Sequence, residues 1–362
     1  MDIQGQAPIR MKTFCSFTPI CTSISLEQVK ERIDEYTGTI FAIQAFVSMT
    51  TWDKLSSQKR PDTMFSIGRR MTTSLQNRVT PNLIVTPDIV IQVGDDIGYA
   101  VEVKYSIPRD RNYWSDDANQ LLKYDDNLVG WWTDDETIPN TCSALLIEQG
   151  RSVQFIEFLT SWATEHNIIF RQNTSVIEFS KSDNAKPYYF LRKQMGGILD
   201  ENLSSRLKYG EKIPIEKVVG SYGPKKFYDT EPPVVEYTMT IIWQDVFTPD
   251  GVTNEYDKKL GGIPLYVKLE DLTFELQKLY GQVSNSPRDV QFPCKDWIRS
   301  AMDEFVNIGL GRKLIDNPDG YEYLVLFRQI KRDLLEYFVD SRKKAFSQPP
   351  NAKQLDLFDT KK

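Results

Sequence analysis

The stretch that most restricts how this chain can fold runs from Pro87 to Ser106. Two apolar, β-branched runs, one ending at Val93 and one starting at Tyr99, flank a turn built from Gly94, Asp95, Asp96, Ile97 and Gly98. Such a pattern predicts a β-hairpin. With Asp95–Ile97 as the loop and Gly94 opposite Gly98, Asp88 pairs with Lys104 and Val90 with Glu102. Side chains alternate along a strand, and paired residues share a face. Asp88, Glu102 and Lys104 therefore fall on one face, and Ile89, Ile91, Val93, Val101, Val103 and Tyr105 on the other. A loop one residue longer or shorter would turn one strand over and separate the charges.

Two carboxylates and an ammonium on one sheet face suit phosphodiester hydrolysis. Carboxylates are ligands for Mg²⁺, a hard cation that keeps several waters. The ion acidifies a bound water and balances charge on the phosphate, and an ammonium stabilises the transition state. Pro87-Asp88 followed by Glu102-Val103-Lys104 resembles the PD-(D/E)XK nuclease superfamily. The resemblance implies that Asp88, Glu102 and the Val103 carbonyl bind Mg²⁺, with Mn²⁺ as a substitute, and that Lys104 is catalytic. The alternative is a half-exposed hairpin with solvated charges.

Ser115-Asp116-Asp117 opens a helix, with a capping residue and acids in its first turn. Gln120 and Tyr124 lie four apart and share its face. Gln-x-x-x-Tyr after Glu-x-Lys resembles the RecB-like branch of the superfamily, which implies that both residues face the site. Otherwise Tyr124 packs beside Leu121 and Leu128. Superfamily members often add a metal-binding Glu from the first helix. None occurs between Asp62 and Asp88, which leaves Glu31 or Glu35 as substitutes. Arg69, Arg70 and Arg78 would lie on a helix over Phe65–Arg78, either gripping phosphates or on a solvated face. Arg109, Arg111, Tyr113 and Trp114 mix charge with flat rings, either for DNA contact or as an anchor under a loop.

Net charge is −6 and there is one histidine, His166, read as a helix C-terminal residue. That count excludes His-metal nuclease motifs and Ser-His-Asp triads. Cys15, Cys21, Cys142 and Cys294 show no zinc-knuckle spacing, and free thiols suit a reducing cytoplasm. No apolar run reaches membrane-spanning length and no signal-peptide core is visible, so a cytoplasmic protein with no membrane partner is expected.

Taken in order, residues 1–24 read as a loose lead-in, Ser25/Gln28 as a capping box opening a short helix, and Thr39–Met49 as a strand. Thr141–Glu148 reads as a buried strand, Ser152–His166 as a helix and Ile168–Arg171 as another strand. The fold class expected is α/β (α+β): a restriction-endonuclease-like αβββαβ core, whose resemblance covers about residues 60–172 of a nuclease-like domain spanning 1–172. Residues 173–262 read as a β-containing connector, with strands at Tyr188–Arg192 and Glu236–Asp245 and a Lys225-Lys226 pair that could touch DNA. Residues 263–345 resemble a winged helix: helices near 269–280 and 293–308, a hairpin around Asn317-Pro-Asp-Gly320, then a basic helix to Lys344. It would contact DNA or protein. The tail, 346–362, should be disordered. It carries Gln354-Leu355-Asp356-Leu357-Phe358, which resembles the bacterial sliding-clamp-binding peptide. The alternative is that the tail folds back on the chain.

Together these resemblances imply a Mg²⁺-dependent DNA nuclease recruited by the sliding clamp, in genome maintenance or anti-phage defence. The rivals are a non-cleaving DNA-binding scaffold and a DNA-cutting subunit that works with further protein subunits in transposition or restriction.

Overall fold

The computed structural model describes residues 25–51, 62–73, 83–105, 114–124, 127–170, 172–182, 186–197, 200–222, 225–247 and 262–347. Their fold is mixed α/β. Among them, no helix is long and apolar enough to cross a membrane.

Helix α1 spans Leu26–Thr51 and absorbs the strand expected at Thr39–Met49. A continuous apolar run does not distinguish strand from buried helix. Here the capping box decides. Ser25 N–H donates to Gln28 Oε1 at 2.9 Å, and Gln28 N–H donates to Ser25 Oγ at 3.2 Å. Once started, the helix meets no proline before Thr51.

A seven-stranded sheet has the order β1-β4-β5-β6-β7-β8-β9. Its strands are β1 (Thr63–Ile67), β4 (Ile89–Val93), β5 (Ile97–Lys104), β6 (Asn140–Glu148), β7 (Thr174–Ser182), β8 (Tyr188–Met195) and β9 (Glu211–Pro214). A separate hairpin, β2 (Met71–Thr73) with β3 (Leu83–Val85), is inserted after β1. Within the helix expected over Phe65–Arg78, Phe65–Ile67 and Met71–Thr73 are instead parts of strands β1 and β2, and Arg78 lies outside the described residues. Of the buried stripe expected of that helix, Met64, Ile67, Met71 and Leu75, only Ile67 and Met71 are buried among the described residues, both from strands, while Met64 is exposed and Leu75 lies outside them.

Strands β1, β4 and β5 are antiparallel neighbours; β5, β6 and β7 run parallel; β7, β8 and β9 are antiparallel. Helix α2 (Trp114–Lys123) joins β5 to β6, and α3 (Ser152–Glu165) joins β6 to β7. The last strand starts at Thr174 rather than at Ile168, and β7 to β9 extend the main sheet instead of forming a connector of their own. Trp114, Ala118 and Leu121 of α2 and Phe155, Leu159 and Trp162 of α3 bury Leu145, Ile147 and Val176. Those three positions share the face of Glu102 and Lys104. Residues 34–51 of α1 lie on the opposite face, where Gly38 leaves room for the Tyr105 ring and Phe41 stacks on Tyr189.

Two compact units are present. The larger holds 34–230 and 276–292; the smaller holds 1–33, 231–275 and 293–362. After α4 (Glu201–Tyr209) and α5 (Ile215–Tyr222) comes α6 (Val235–Ile241), which continues as a π-helical turn through Val246. The strand expected at Glu236–Asp245 is therefore helical. Trp243, Phe305, Phe327 and Phe338 make the aromatic core there. Next are β10 (Ile263–Val267), α7 (Leu269–Tyr280), α8 (Lys295–Asn307), β11 (Gly311–Lys313), β12 (Tyr323–Phe327) and α9 (Leu334–Ser347). β10, β12 and β11, in that order, form a three-stranded antiparallel sheet.

Cys142 is a buried thiol outside any disulfide. Cys15 and Cys21 lie outside the described residues.

Candidate active site

The hairpin forms, with its register moved by two residues from the expected one. Ile89 pairs with Val101, Val90 with Ala100 and Val93 with Ile97. The loop is Gly94-Asp95-Asp96, one step earlier than expected, and Gly94 takes φ +59° at its start. Only glycine adopts that angle freely. Moving a loop by one position shifts the register by two and so preserves which side chains share a face. Extended by one pair, the ladder sets Asp88 opposite Glu102 rather than opposite Lys104.

Asp88 and Glu102 are 4% and 1% exposed. Val103 N–H donates to Asp88 Oδ2 at 2.9 Å. A strand residue's N–H and C=O leave on the same side, so the Val103 carbonyl also turns toward Asp88. Asp88 Oδ1 accepts from the Thr230 hydroxyl at 2.5 Å. Gly68 makes that approach possible. Its N–H donates to the Asp88 carbonyl at 3.1 Å, its φ is +64°, and a Cβ there would stand 3.2 Å from Thr230 Cγ2.

Tyr124, just beyond the end of α2, donates its hydroxyl to Glu102 Oε1. Tyr124 is itself buried among Val90, Ala100, Leu128 and Trp131. Burial, and after it the nearby Glu102 and Asp88 charges, hold its phenol well above the usual value of 10.0. The folded chain thus keeps a proton that the unfolded chain releases above about pH 10. The corresponding stability is complete below pH 10 and is lost as pH climbs beyond it. Tyr124→Phe should flatten the fall in unfolding free energy, measured by urea, between pH 9 and 11 by up to about 1.4 kcal/mol per pH unit; an identical slope in both proteins contradicts this assignment.

Lys104 Nζ lies 3.4 Å from Asp117 Oδ1, and its side chain is 23% exposed, the most accessible of the three charged groups. Gln120 lies on α2, and its buried Oε1 has no hydrogen-bond partner among the described residues. Asp88, Glu102, Val103, Lys104 and Tyr124 are thus brought together, and Gln120 lies on α2 four residues before Tyr124. Sequence reasoning missed Thr230 and did not single out Asp117. Asp117 was discoverable, since it precedes Tyr124 by seven residues, two helical turns. Thr230, 142 positions from Asp88, carried no signal.

The arginines separate. Arg69 is 3% exposed and does not lie on a helix face. Its Nη1 meets Asp289 Oδ1 at 2.6 Å, its Nε donates to the Gly130 carbonyl at 2.6 Å, and its guanidinium lies 4.0 Å over the Trp132 ring. It is a buried tie, not a phosphate grip. Arg70 is exposed. Arg109 and Arg111 lie outside the described residues, as do Gln354, Leu355, Asp356, Leu357 and Phe358. Glu35 is separated from the acids by the sheet, since this part of α1 covers the opposite face. Lys225 Nζ donates to the Gly281 carbonyl at 2.9 Å, and Lys226 Nζ sits 4.4 Å over the Tyr280 ring.

The donors fit a hard divalent cation: two carboxylates opposed on neighbouring strands, with a backbone carbonyl beside them. Among the described residues there is no cluster of three or more Asp, Glu, His or Cys side chains placed to hold a metal, so the set here is the smaller one. Comparisons with known protein families, with curated proteins and with solved structures find no match for this chain.

Proposed function

We propose that this chain is a Mg²⁺-dependent DNA nuclease. The observation that carries the reading is the opposition of Asp88 and Glu102 on adjacent strands, with Lys104 two residues further along the same face. The order α1, then the antiparallel β1, β4 and β5, then α2 and the parallel β6 also agrees with an αβββαβ nuclease core.

Asp88, Glu102 and the Val103 carbonyl would hold Mg²⁺. When bound, the ion would acidify a water and offset charge on the phosphate. Thr230 and the Val103 N–H fix Asp88 from two sides, and Tyr124 fixes Glu102. Lys104 stabilises negative charge developing on the phosphoryl oxygens. Gln120 offers its carbonyl oxygen to an attacking water or its amide to a phosphate oxygen.

Thr230→Val keeps the shape and removes the hydroxyl from Asp88. Initial rates of supercoiled plasmid nicking should fall about tenfold, as loss of a hydrogen bond to a charged group does; an unchanged rate would make the contact incidental to cleavage.

One observation favours a second reading, a non-cleaving DNA-binding scaffold. Both Asp88 oxygens and one of Glu102 already accept hydrogen bonds from the protein itself. Calorimetric titration with Mn²⁺ discriminates, because the scaffold reading predicts no heat that Asp88→Asn removes.

For the smaller unit, the order α6, β10, α7, α8, β11, β12 and the sheet order β10-β12-β11 support a winged-helix reading. On α8, Arg299 is paired with Asp296, and Asp303 binds Lys313 and Tyr323. This balanced surface favours a protein contact over the phosphate backbone. The sliding clamp is the partner proposed for the tail. A peptide of residues 350–362 should bind bacterial clamp at about micromolar strength, and Leu357→Ala with Phe358→Ala should abolish binding; undiminished binding would show that these side chains are not the anchors.

A further inference from the structure

The sheet carries a second chemically distinctive surface on the face of Asp88 and Glu102, toward its β9 edge. Strand pairing defines it. Glu102 is level with Leu145, Ile147 with Glu178, Glu178 with Arg192 and Phe190 with Lys212. Alternation adds Tyr188 to Phe190 and Arg192. Helix α3 covers Glu178, which accepts from the Ser152 hydroxyl at 2.7 Å, and packs on Met195 at the far end of β8. Beyond it Tyr188 and Phe190 are partly exposed, and Arg192 and Lys212 are exposed.

Each ring there has a cation beside it. Lys212 Nζ is 4.9 Å from the Tyr188 ring centre and Arg192 Cζ 6.0 Å from that of Phe190. Glu178, which borders this patch, is buried and already paired with Arg192 at 2.7 Å. The exposed charge of the patch is therefore positive on a chain whose net charge is −6. Gly210, at φ +84°, lays bare backbone against the Phe190 ring, where any Cβ would collide.

We propose that this face binds single-stranded nucleic acid. Bases stack on Tyr188 and Phe190 while Lys212 takes a phosphate. Flat rings interleaved with mobile cations on an open sheet are the means by which unpaired bases are held without sequence choice. A duplex has its bases stacked internally and offers no free base to these rings. The inference stands apart from the carboxylate site, because binding here needs neither metal nor cleavage.

The test is fluorescence anisotropy on the full chain in EDTA, with labelled oligo-dT, oligo-U and a duplex of about 20 units. Single strands should bind at least about tenfold tighter than duplex, with dT against U showing whether the sugar matters. Lys212→Glu, at an exposed position, should weaken binding about fourfold and lower the log-log salt slope by about 0.7. Tyr188→Leu should cost on the order of tenfold by removing one stacking surface. Asp88→Asn should bind as the parent does, so loss of cleavage and loss of binding are read separately. Preference for duplex, or undiminished single-strand binding by Lys212→Glu with its salt slope intact, overturns the proposal.

Discussion

Lys104→Ala is expected to lower Mg²⁺-dependent DNA cleavage by about a hundredfold to a thousandfold, the loss typical when one group stabilising transition-state charge is removed. The reason is positional. Glu102 and Lys104 are two apart on β5, so the ammonium stands on the same face as both carboxylates. Its contact with Asp117, at 3.4 Å, keeps it near α2 without burying it. A partly exposed pair of this kind adds at most about 1 kcal/mol to stability, so the variant should unfold at nearly the parental urea concentration. Asp88→Asn, at a buried position with two hydrogen-bond donors, should abolish activity at least as completely. Parental rates on circular and linear DNA from a folded Lys104→Ala protein would remove the nuclease reading.

Arg69→Ala should act in the opposite way: a large loss of stability without a specific loss of DNA affinity. The Arg69 guanidinium is buried against Asp289 and Trp132 and donates to the Gly130 carbonyl. Removing it leaves Asp289 buried with only the neutral Ser284 hydroxyl, at 2.6 Å, of its two shown side-chain partners. Breaking one half of such a pair costs roughly 3–5 kcal/mol, because a charge is stranded in a poorly solvating site. Replacing both partners by apolar residues, as in Arg69→Met with Asp289→Leu, should restore much of the loss. Urea unfolding measures both. A single variant as stable as the parent, but with weakened DNA binding, would return Arg69 to the phosphate-gripping role expected of it as a helix residue.

That contrast marks how far the chain could be read directly. Alternation within a strand has a period of two and depends only on neighbours. Asp88, Glu102 and Lys104 could therefore be placed on one face even though the pairing itself was two residues off. The Ser25 and Gln28 cap was equally local. The run from Ile40 to Met49 was not, because a stretch buried on every side has no amphipathic period to reveal helix or strand. Met64, Ile67 and Met71 fitted a helical stripe by spacing, but two of them lie on separate strands and Met64 is exposed.

The sequence alone determined that two acids and a lysine would share a sheet face, with Gln120 following on a helix. Tertiary structure decided what fixes them: Thr230 on Asp88, Tyr124 on Glu102, Asp117 beside Lys104. It also made Arg69 an internal tie and aligned Tyr188, Phe190 and Lys212 across two strands. Local periodicity sets which way a side chain points, but which distant residue arrives beside it depends on how the whole chain closes on itself. No short window of sequence contains that.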